Sequence, residues 1–542
     1  MARSFREAGF QWATQFAYDP MAIAYANTEY QTHYLNLAYT PAKAISTLIA
    51  GKVFRTMKRG QQFRRYPQDS VFGAFRVSYR QQLSEMNTPE EFYYTANTST
   101  TPKQAAKLRH VAGVGSSKVV SYGGLGAYFL DRLAPGVWRL EVMPDAVAIR
   151  DPFEKASLSK PVTQILWNEQ PLQVSLPDLG QGFSLKGLNE GNTVQATAAD
   201  GRATVRPGVY LLAAAGKSTN AFTAQTTFNH LKLGEFVAPA PTELGPQIRH
   251  TPAVQTAAGQ PLRITAALTG IAPGDSVFLV AQHYYGRTRT LPMSTARYAT
   301  VEATVPADLL YPGELRYWLV LRKGPQATTF PGGFAGQPRD WDYAHAEHYA
   351  VPIVAAGAPL PLFQASRDQE QIEARGVSAN AWSDYVTTGT GELALRLVQG
   401  PPRPNQPAPT GPAASLRAYF GDRLAARQSD LAGFTEVVVR ARSSQPGASV
   451  KVTLATKDAV AYAAPLPLTA EMQDVRIPLS AFQPAALLLV PRPYPGFLPL
   501  QHKASTTPGL KLPDAEVLQV VWDAAIPTTG PLSVDIESVI LR

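Results

Sequence analysis

The sequence contains no cysteine, which excludes disulfide frameworks, thiolate nucleophiles and cysteine-ligated zinc sites. It also lacks any apolar run of about 18 residues, so we expect no membrane-spanning helix. The N-terminus has no apolar segment of the signal-peptide type, so an export signal would have to lie outside this sequence.

Concentrated charge is also scarce. Lys and Arg exceed Asp and Glu by nine, 50 against 41, but the basic residues are spread thinly. The exception is "FRTMKRGQQFRRY" (54–66). We interpret it as a solvated helix end and loop, with a nucleic-acid patch as the alternative, and we expect no nucleic-acid partner.

What the sequence does contain is typical of a folded, multidomain, strand-rich protein. The 542 residues are 45% apolar and 17% charged, with 46 prolines and 40 glycines. This length predicts several domains. Because Pro and Gly punctuate many short runs rich in Val, Thr, Tyr and Phe, strands and turns should outnumber helices.

Residues 1–65 carry the strongest α/β pattern. "FQWATQFAY" (10–18) predicts a buried strand, and "YLNLAY" (34–39) predicts a second extended piece. Thr40 can cap a helix that begins at Pro41, where the missing N–H costs nothing. A strand, a loop and a helix make one unit of a parallel α/β fold, which should either pack on the next domain or depend on a partner segment.

Three all-β regions follow. Short strands at intervals of about 8–12 residues predict a β-sandwich over 66–236, including an Asp-Gly hairpin in "AADGRA" (198–203). After a proline-rich linker, 245–356 is typical of an immunoglobulin-like or fibronectin-like sandwich. The pattern of 362–542 favours a jelly roll of the galactose-binding type. The predicted fold class is therefore mainly β.

Two stretches carry a family resemblance. "GFQWATQFAYDP…NTEYQTHYLNLAYTPAKAIS" resembles the end of the (β/α)₈ barrel of secreted clan-A glycoside hydrolases from polysaccharide-degrading bacteria. "GAYFLDRLAPGVWRLEVMPDAVAIRDPFEKASL" and the run to "VRPGVYLL" resemble the β-sandwich that follows this barrel. More loosely, "SLRAYFGD" to "LSVDIESVIL" resembles carbohydrate-binding jelly rolls. The resemblance implies that 1–65 is the end of a barrel.

The same resemblance implies two catalytic glutamates, after barrel strands four and seven. A complete barrel needs at least about 200 residues, so we expect most of it, with one or both glutamates, to be encoded before Met1. Glu29 and Asp19 are the carboxylates after the first predicted strand and are the candidate catalytic residues. The alternatives are an Asx turn at Asp19 and a loop or capping role for Glu29.

Aromatic and amide side chains are the candidate sugar contacts. Near the predicted barrel rim these are Trp12, Gln15, Tyr18 and Tyr30, although Trp12 could equally belong to a barrel core. In the C-terminal region the candidates are Trp382, Tyr385, Tyr419 and Tyr494, while Trp522 in "QVVWDAA" should be core.

No cofactor and no metal site is expected. His345, Glu347 and His348 in "YAHAEHYAV" (343–351) alternate between the two sides of a predicted strand, so they would not converge on one ion.

Two functions remain open. The chain could be the C-terminal part of a polysaccharide-degrading glycoside hydrolase, in which the last domain keeps the enzyme near its polymer. Alternatively, it is a non-catalytic carbohydrate-binding or adhesion protein built of β-sandwiches. Both hypotheses expect a polysaccharide or oligosaccharide partner and a secreted, periplasmic or cell-surface location.

Overall fold

Strands make up most of the regular structure in the computed structural model of this protein, and the prediction of a mainly β protein is confirmed. The structure describes residues 1–14, 23–27, 36–151, 154–272, 274–283, 286, 288–378, 380–401, 412–445, 447–491, 493, 496, 498–523 and 530–542. Within these ranges the α-helices are α1 Ala2–Glu7, α2 Pro41–Thr56 and α3 Gly421–Ala425. The 3₁₀ turns are Leu37–Tyr39, Ala105–Lys107, Ala307–Leu309, Gln369–Gln371, Leu431–Gly433, Leu479–Ala481 and Leu512–Asp514.

The first part of the chain, residues 1–236, is built around one large sheet. Its strands are β1 Ala26–Asn27, β2 Val71–Phe72, β3 Phe75–Ser78, β4 Leu83–Asn87, β5 Glu91–Tyr94, β6 His110–Val114, β7 Val120–Tyr122, β8 Ala127–Ala134, β9 Val137–Val142, β10 Asp145–Ala148, β11 Ser157–Pro161, β12 Thr163–Leu166, β13 Gln170–Val174, β14 Gly182–Gly187, β15 Gln195–Ala199, β16 Arg202–Val205, β17 Gly208–Ala214, β18 Thr227–Phe228 and β19 Leu231–Lys232. Thirteen of these strands form the large sheet, in the order β2-β3-β4-β5-β6-β8-β9-β17-β14-β15-β16-β13-β7. Because Leu130 in its first half and Leu172 in its second half share one core, the sheet folds over on itself.

Helix α2 covers the other face of the first half of this sheet. Pro41 occupies the first turn as predicted, and Ile45, Ile49 and Val53 recur at helical spacing on the buried side. They form a core with side chains of the sheet such as Met86 and Tyr93. The helix therefore completes a helix-on-sheet layer.

Two expectations for residues 1–65 need correction, and a third is not confirmed. Residues 10–14 form no strand and Trp12 is 69% exposed, so Trp12 is not a core residue. Leu37–Tyr39 is a 3₁₀ turn because the Asn36 side chain accepts a hydrogen bond from the Ala38 N–H at 3.0 Å. Strand β1 pairs antiparallel with β11, and the described part of 1–65 contains no parallel strand. The structure thus does not confirm a (β/α)₈ barrel.

The middle of the chain, residues 247–354, forms two facing sheets around its own core. Its strands are β20 Gln247–Arg249, β21 Thr256–Ala257, β22 Leu262–Thr269, β23 Ser276–His283, β24 Thr288–Pro292, β25 Ser294–Arg297, β26 Thr300–Val305, β27 Gly313–Lys323, β28 Gln326–Phe330, β29 Phe334–Ala335 and β30 Tyr349–Val354. One sheet has the order β20-β22-β26-β25, and the other has the order β21-β30-β27-β23-β24, with β28 and β29 added beside β27.

Residues 360–542, here called the C-terminal sandwich, also form two sheets. The strands are β31 Leu360–Gln364, β32 Ile372–Gly376, β33 Ala381–Thr387, β34 Leu393–Gln399, β35 Ala414–Tyr419, β36 Glu436–Ser443, β37 Ser449–Thr456, β38 Ala461–Leu466, β39 Gln473–Pro478, β40 Gln483–Ala485, β41 Leu487–Leu488, β42 Gln501–His502, β43 Ala515–Asp523 and β44 Leu532–Leu541. Sheet one has the order β33-β34-β44-β36-β39 with β31 beside β44, and sheet two has the order β32-β35-β43-β37-β38-β40. Trp522 is fully buried in the core between them, as expected. Within the described ranges, no helix has the length and apolar character needed to cross a membrane.

Candidate functional site

An open groove of about 300 Å³ lies on sheet two of the C-terminal sandwich, beside the exposed ring of Tyr419. We call it the Tyr419 groove. It is lined by Glu370, Gln371, Ile372, Glu373, Arg417, Tyr419, Val490 and Pro491. Three separate parts of the chain therefore contribute: the turn and strand around 370–373, strand β35, and the segment at 490–491.

Strand alternation explains the direction of Tyr419. Leu416 and Ala418 of β35 point into the core, so Arg417 and Tyr419 lie on the opposite face. Tyr419 is 56% exposed. Burial of its hydroxyl end, followed by the nearby carboxylates Glu516 and Asp422, raises the pKa of Tyr419, so the phenol is neutral in neutral solution.

The polar wall of the groove is set by cross-strand pairing. Glu373 of β32 lies directly opposite Arg417 of β35. Arg417 donates a hydrogen bond to the carbonyl oxygen of Val490 at 3.2 Å, and Glu373 pairs with Arg375 on its own strand. The carboxylate and the guanidinium are therefore held at the groove by neighbours and present acceptors and donors side by side.

The segment at 490–491 is held by a buried amide. The side chain of Gln519 is fully buried; its Oε1 accepts from the Leu488 N–H at 3.0 Å and its Nε2 donates to the Leu488 carbonyl at 2.9 Å. This two-way bond fixes strand β41 over the face of sheet two. As a result, Val490 and Pro491 form an apolar wall of the groove.

The other predicted aromatic residues of this region do not join Tyr419. Trp382 is 46% exposed, but it lies on β33 of sheet one, opposite Val398. Tyr385 is three residues from Trp382, so its side chain points to the opposite face of β33. There it packs against the core and does not offer an exposed ring. Tyr494 lies outside the described residues.

The surface around Trp382 is dominated by charge. Asp535 is 2% exposed and forms bonds of 2.7 and 2.8 Å to Arg396 and of 2.7 Å to Arg442. Burial opposes ionisation of Asp535, but the hydrogen bonds from Arg396 and Arg442 outweigh it and lower the pKa of this carboxyl. These three charged groups are satisfied by one another.

The candidates near the N-terminus fall into two groups. Asp19, Glu29, Gln15, Tyr18 and Tyr30 lie outside the described residues. Trp12 is described and exposed.

The histidine-rich stretch differs from its prediction. His345 and His348 precede β30 and belong to no strand. The His345 ring stacks on Phe334 with 3.6 Å between centroids. Among the described residues no three His, Asp or Glu side chains come together as a metal site.

Sequence reasoning missed the partners of Tyr419 at this groove. The alternation in "SLRAYF" would have placed Arg417 beside Tyr419 on the same strand face. No local signal connects Glu373 or Pro491 to Tyr419, because they are separated in sequence and meet only through sheet pairing.

No family model matches this chain, and no curated protein matches it. Among solved structures, it is similar to the family 11 carbohydrate-binding module of the cellulosomal cellulase Lic26A-Cel5E of Clostridium thermocellum, with 12% identity, 31% of this chain and 85% of that chain covered, and a TM-score of 0.21. It is also similar to the agarase AgWH50C, with 12% identity, 34% of this chain and 24% of that chain covered, and a TM-score of 0.21. At such TM-scores these likenesses carry no argument about fold or function.

Proposed function

We propose that the C-terminal sandwich binds a polysaccharide through the Tyr419 groove. The observation that carries this proposal is the combination of an exposed tyrosine ring with Gln371, Glu373 and Arg417 in one open groove. A sugar ring has an apolar C–H face, which suits an aromatic ring, and a rim of hydroxyls, which need both donors and acceptors. A groove with a few convergent polar groups meets both needs.

The charge of the groove favours a neutral polymer. Among the described residues of the lining are two carboxylates, Glu370 and Glu373, and one cation, Arg417; Glu516 also lies close to Tyr419. A polysaccharide rich in uronic acid or sulfate groups would meet like charge there. We therefore expect unsubstituted neutral glycans to bind more tightly than acidic ones.

The test is a pull-down of the full chain on cellulose, agarose, xylan, laminarin and chitin, with pectin and carrageenan as acidic polymers. Tyr419→Ala should lower retention on the neutral polymer that the wild type binds. Trp341→Ala, which removes an almost fully exposed tryptophan elsewhere, is the matched control and should be retained. Failure of the wild type on every polymer refutes the proposal. Loss of retention in Trp382→Ala but not in Tyr419→Ala moves the site to sheet one.

We further propose that this binding serves a secreted polysaccharide-degrading glycoside hydrolase, on the strength of the sequence resemblance of residues 1–215. Retaining and inverting glycosidases both need a pair of carboxyl groups, and Glu29 and Asp19 are the candidates within this chain. Release of reducing sugars from the bound polymer, abolished by Glu29→Gln, would support hydrolysis. The alternative is a non-catalytic carbohydrate-binding or adhesion protein outside the cytoplasm, which binds the polymer and releases no sugar.

A further inference from the structure

The turn between β3 and β4 of the first part of the chain touches the C-terminal sandwich through Arg80. Its guanidinium lies 2.6 Å from Oδ2 of Asp458 and 2.8 Å from Oδ1 of Asp514. Asp458 follows β37, and Asp514 precedes β43, so one side chain connects to two adjacent strands of sheet two. A guanidinium that engages two carboxylates fixes direction as well as distance.

Two tyrosines stand beside this contact. The rings of Tyr66 and Tyr79 meet edge to face with centroids 4.7 Å apart. The Tyr66 hydroxyl accepts from the Tyr79 N–H at 3.3 Å and donates to Oδ1 of Asp458 at 3.4 Å. Tyr79 nevertheless remains 61% exposed, although its neighbours are held in place. It is therefore an exposed aromatic ring on a supported turn.

The contact lies at the same end of sheet two as the Tyr419 groove. Tyr419 of β35 pairs with Val517 of β43, and Thr456, two residues before Asp458, pairs with Ala515 of the same strand. Since β35 and β37 flank β43, their backbones are about 10 Å apart. Glu516 lies on β43, between these two strands. Burial raises the pKa of its carboxyl, and the nearby cations Lys457, Arg417 and Arg80 offset only part of that rise.

We infer that the glycan site continues from the Tyr419 groove onto the surface around Tyr79, so that one long sugar chain binds both parts of the protein. This inference rests on the carbohydrate binding proposed above. Tyr79 supplies a second stacking ring, and the exposed amides of Gln81 and Gln82 supply hydrogen-bonding groups for hydroxyls. Arg80 sets the spacing between the two subsites.

Two linked subsites have a measurable consequence. A sugar chain long enough to reach both is captured at the second subsite at a high effective concentration, whereas a disaccharide occupies one subsite at a time. Affinity should therefore rise with chain length beyond what the Tyr419 groove alone can reach.

The test measures by calorimetry the affinity of the full chain for cello-, laminari- and agaro-oligosaccharides of two and of eight units. Tyr79→Ala should lower affinity for the eight-unit sugar about two- to tenfold, the size expected for one aromatic contact, and leave affinity for the two-unit sugar unchanged. Arg80→Gln should have the same effect on affinity, because without its ion pairs the distance between the two subsites is less tightly fixed. Arg263→Gln, which removes an exposed ion pair with Glu302, is the matched control and should change neither affinity.

The outcomes separate the two proposals. If the wild type binds none of these sugars or polymers, the carbohydrate-binding proposal fails, and this inference fails with it. If the wild type binds and Tyr79→Ala keeps the same ratio of affinities for eight and two units, only the extension is refuted.

Discussion

Gly421 supports the orientation of Tyr419, and adding one methyl group there should weaken sugar binding without unfolding the protein. Gly421 begins helix α3 directly after strand β35 and Phe420. A Cβ at this position would lie 2.8 Å from the Tyr419 hydroxyl oxygen, 3.0 Å from its Cζ and 2.9 Å from Cβ of Glu516. Such approaches are too close for carbon atoms, so the tyrosine ring must move away from the groove wall that it now forms.

The magnitude follows from two opposing effects. Alanine is favoured over glycine in a helix by up to about 1 kcal/mol. Overpacking costs about 1–3 kcal/mol, and here the long Tyr419 side chain can relieve part of it, whereas the Cβ of Glu516 is tied to the backbone. We therefore expect Gly421→Ala to destabilise the protein by no more than about 2 kcal/mol. Losing the stacking geometry of one aromatic ring, worth about 0.5–1.5 kcal/mol, lowers sugar affinity about two- to tenfold.

Calorimetry on the oligosaccharide that the wild type binds measures the affinity, and urea denaturation measures the stability. Gly433→Ala is the matched control, because no atom lies within 4 Å of the added methyl group. It should change neither quantity. Unchanged affinity in Gly421→Ala, with the control also unchanged, would refute the view that Gly421 holds Tyr419 in a binding orientation.

Two further predictions concern stability. Asp535→Ala leaves Arg396 and Arg442 without their shared carboxylate, and both arginines are about one third exposed. We therefore expect the free energy of unfolding, measured by urea denaturation, to fall by about 2 kcal/mol, less than the roughly 3–5 kcal/mol of a fully buried pair. A loss below 0.5 kcal/mol, on the order of a surface pair, would contradict this. Burial lowers the pKa of His250, whose ring bonds the Thr265 carbonyl at 2.7 Å and the Tyr317 hydroxyl at 2.6 Å. The unfolded chain therefore binds a proton more readily, and stability should fall as pH drops through about 6.5. His250→Asn should reduce the change in melting temperature between pH 7.5 and 5.5. If the melting temperature of this variant depends on pH as steeply as that of the wild type, other groups cause the dependence.

Local features were predictable where the chain's own chemistry decides. The Asp200–Gly201 pair has φ of 51° and 70° and joins β15 to β16, as the Asp-Gly signature predicts. Helix α2 begins at Pro41 because proline suits the first turn, and its apolar spacing selects the face that is buried. Trp522 is in the core, as its apolar surroundings in "QVVWDAA" indicate.

The expectations that the structure corrects or does not confirm depend on one local side-chain hydrogen bond and on packing against another region of the chain. The extended piece expected over 34–39 ends in a turn because the Asn36 side chain bonds the Ala38 N–H. Strand propensity was outweighed there by one side-chain hydrogen bond. The barrel expected from 1–65 is not confirmed, because an amphipathic helix can cover any apolar sheet face, and α2 covers the sheet of the following region.

The sequence by itself determined that this is a cysteine-free, mainly β protein, that Arg417 and Tyr419 share one face of a strand, and that Trp522 is buried. These properties follow from composition and from the two-residue period of a strand, which act over a few neighbouring residues. Only the tertiary structure decided that Tyr419 faces Glu373 and Pro491, that Trp382 lies on the other sheet, and that Arg80 reaches Asp458. Each of these depends on which strands pair and on which turn meets which sheet, and such pairings between distant segments leave no periodic trace in the sequence.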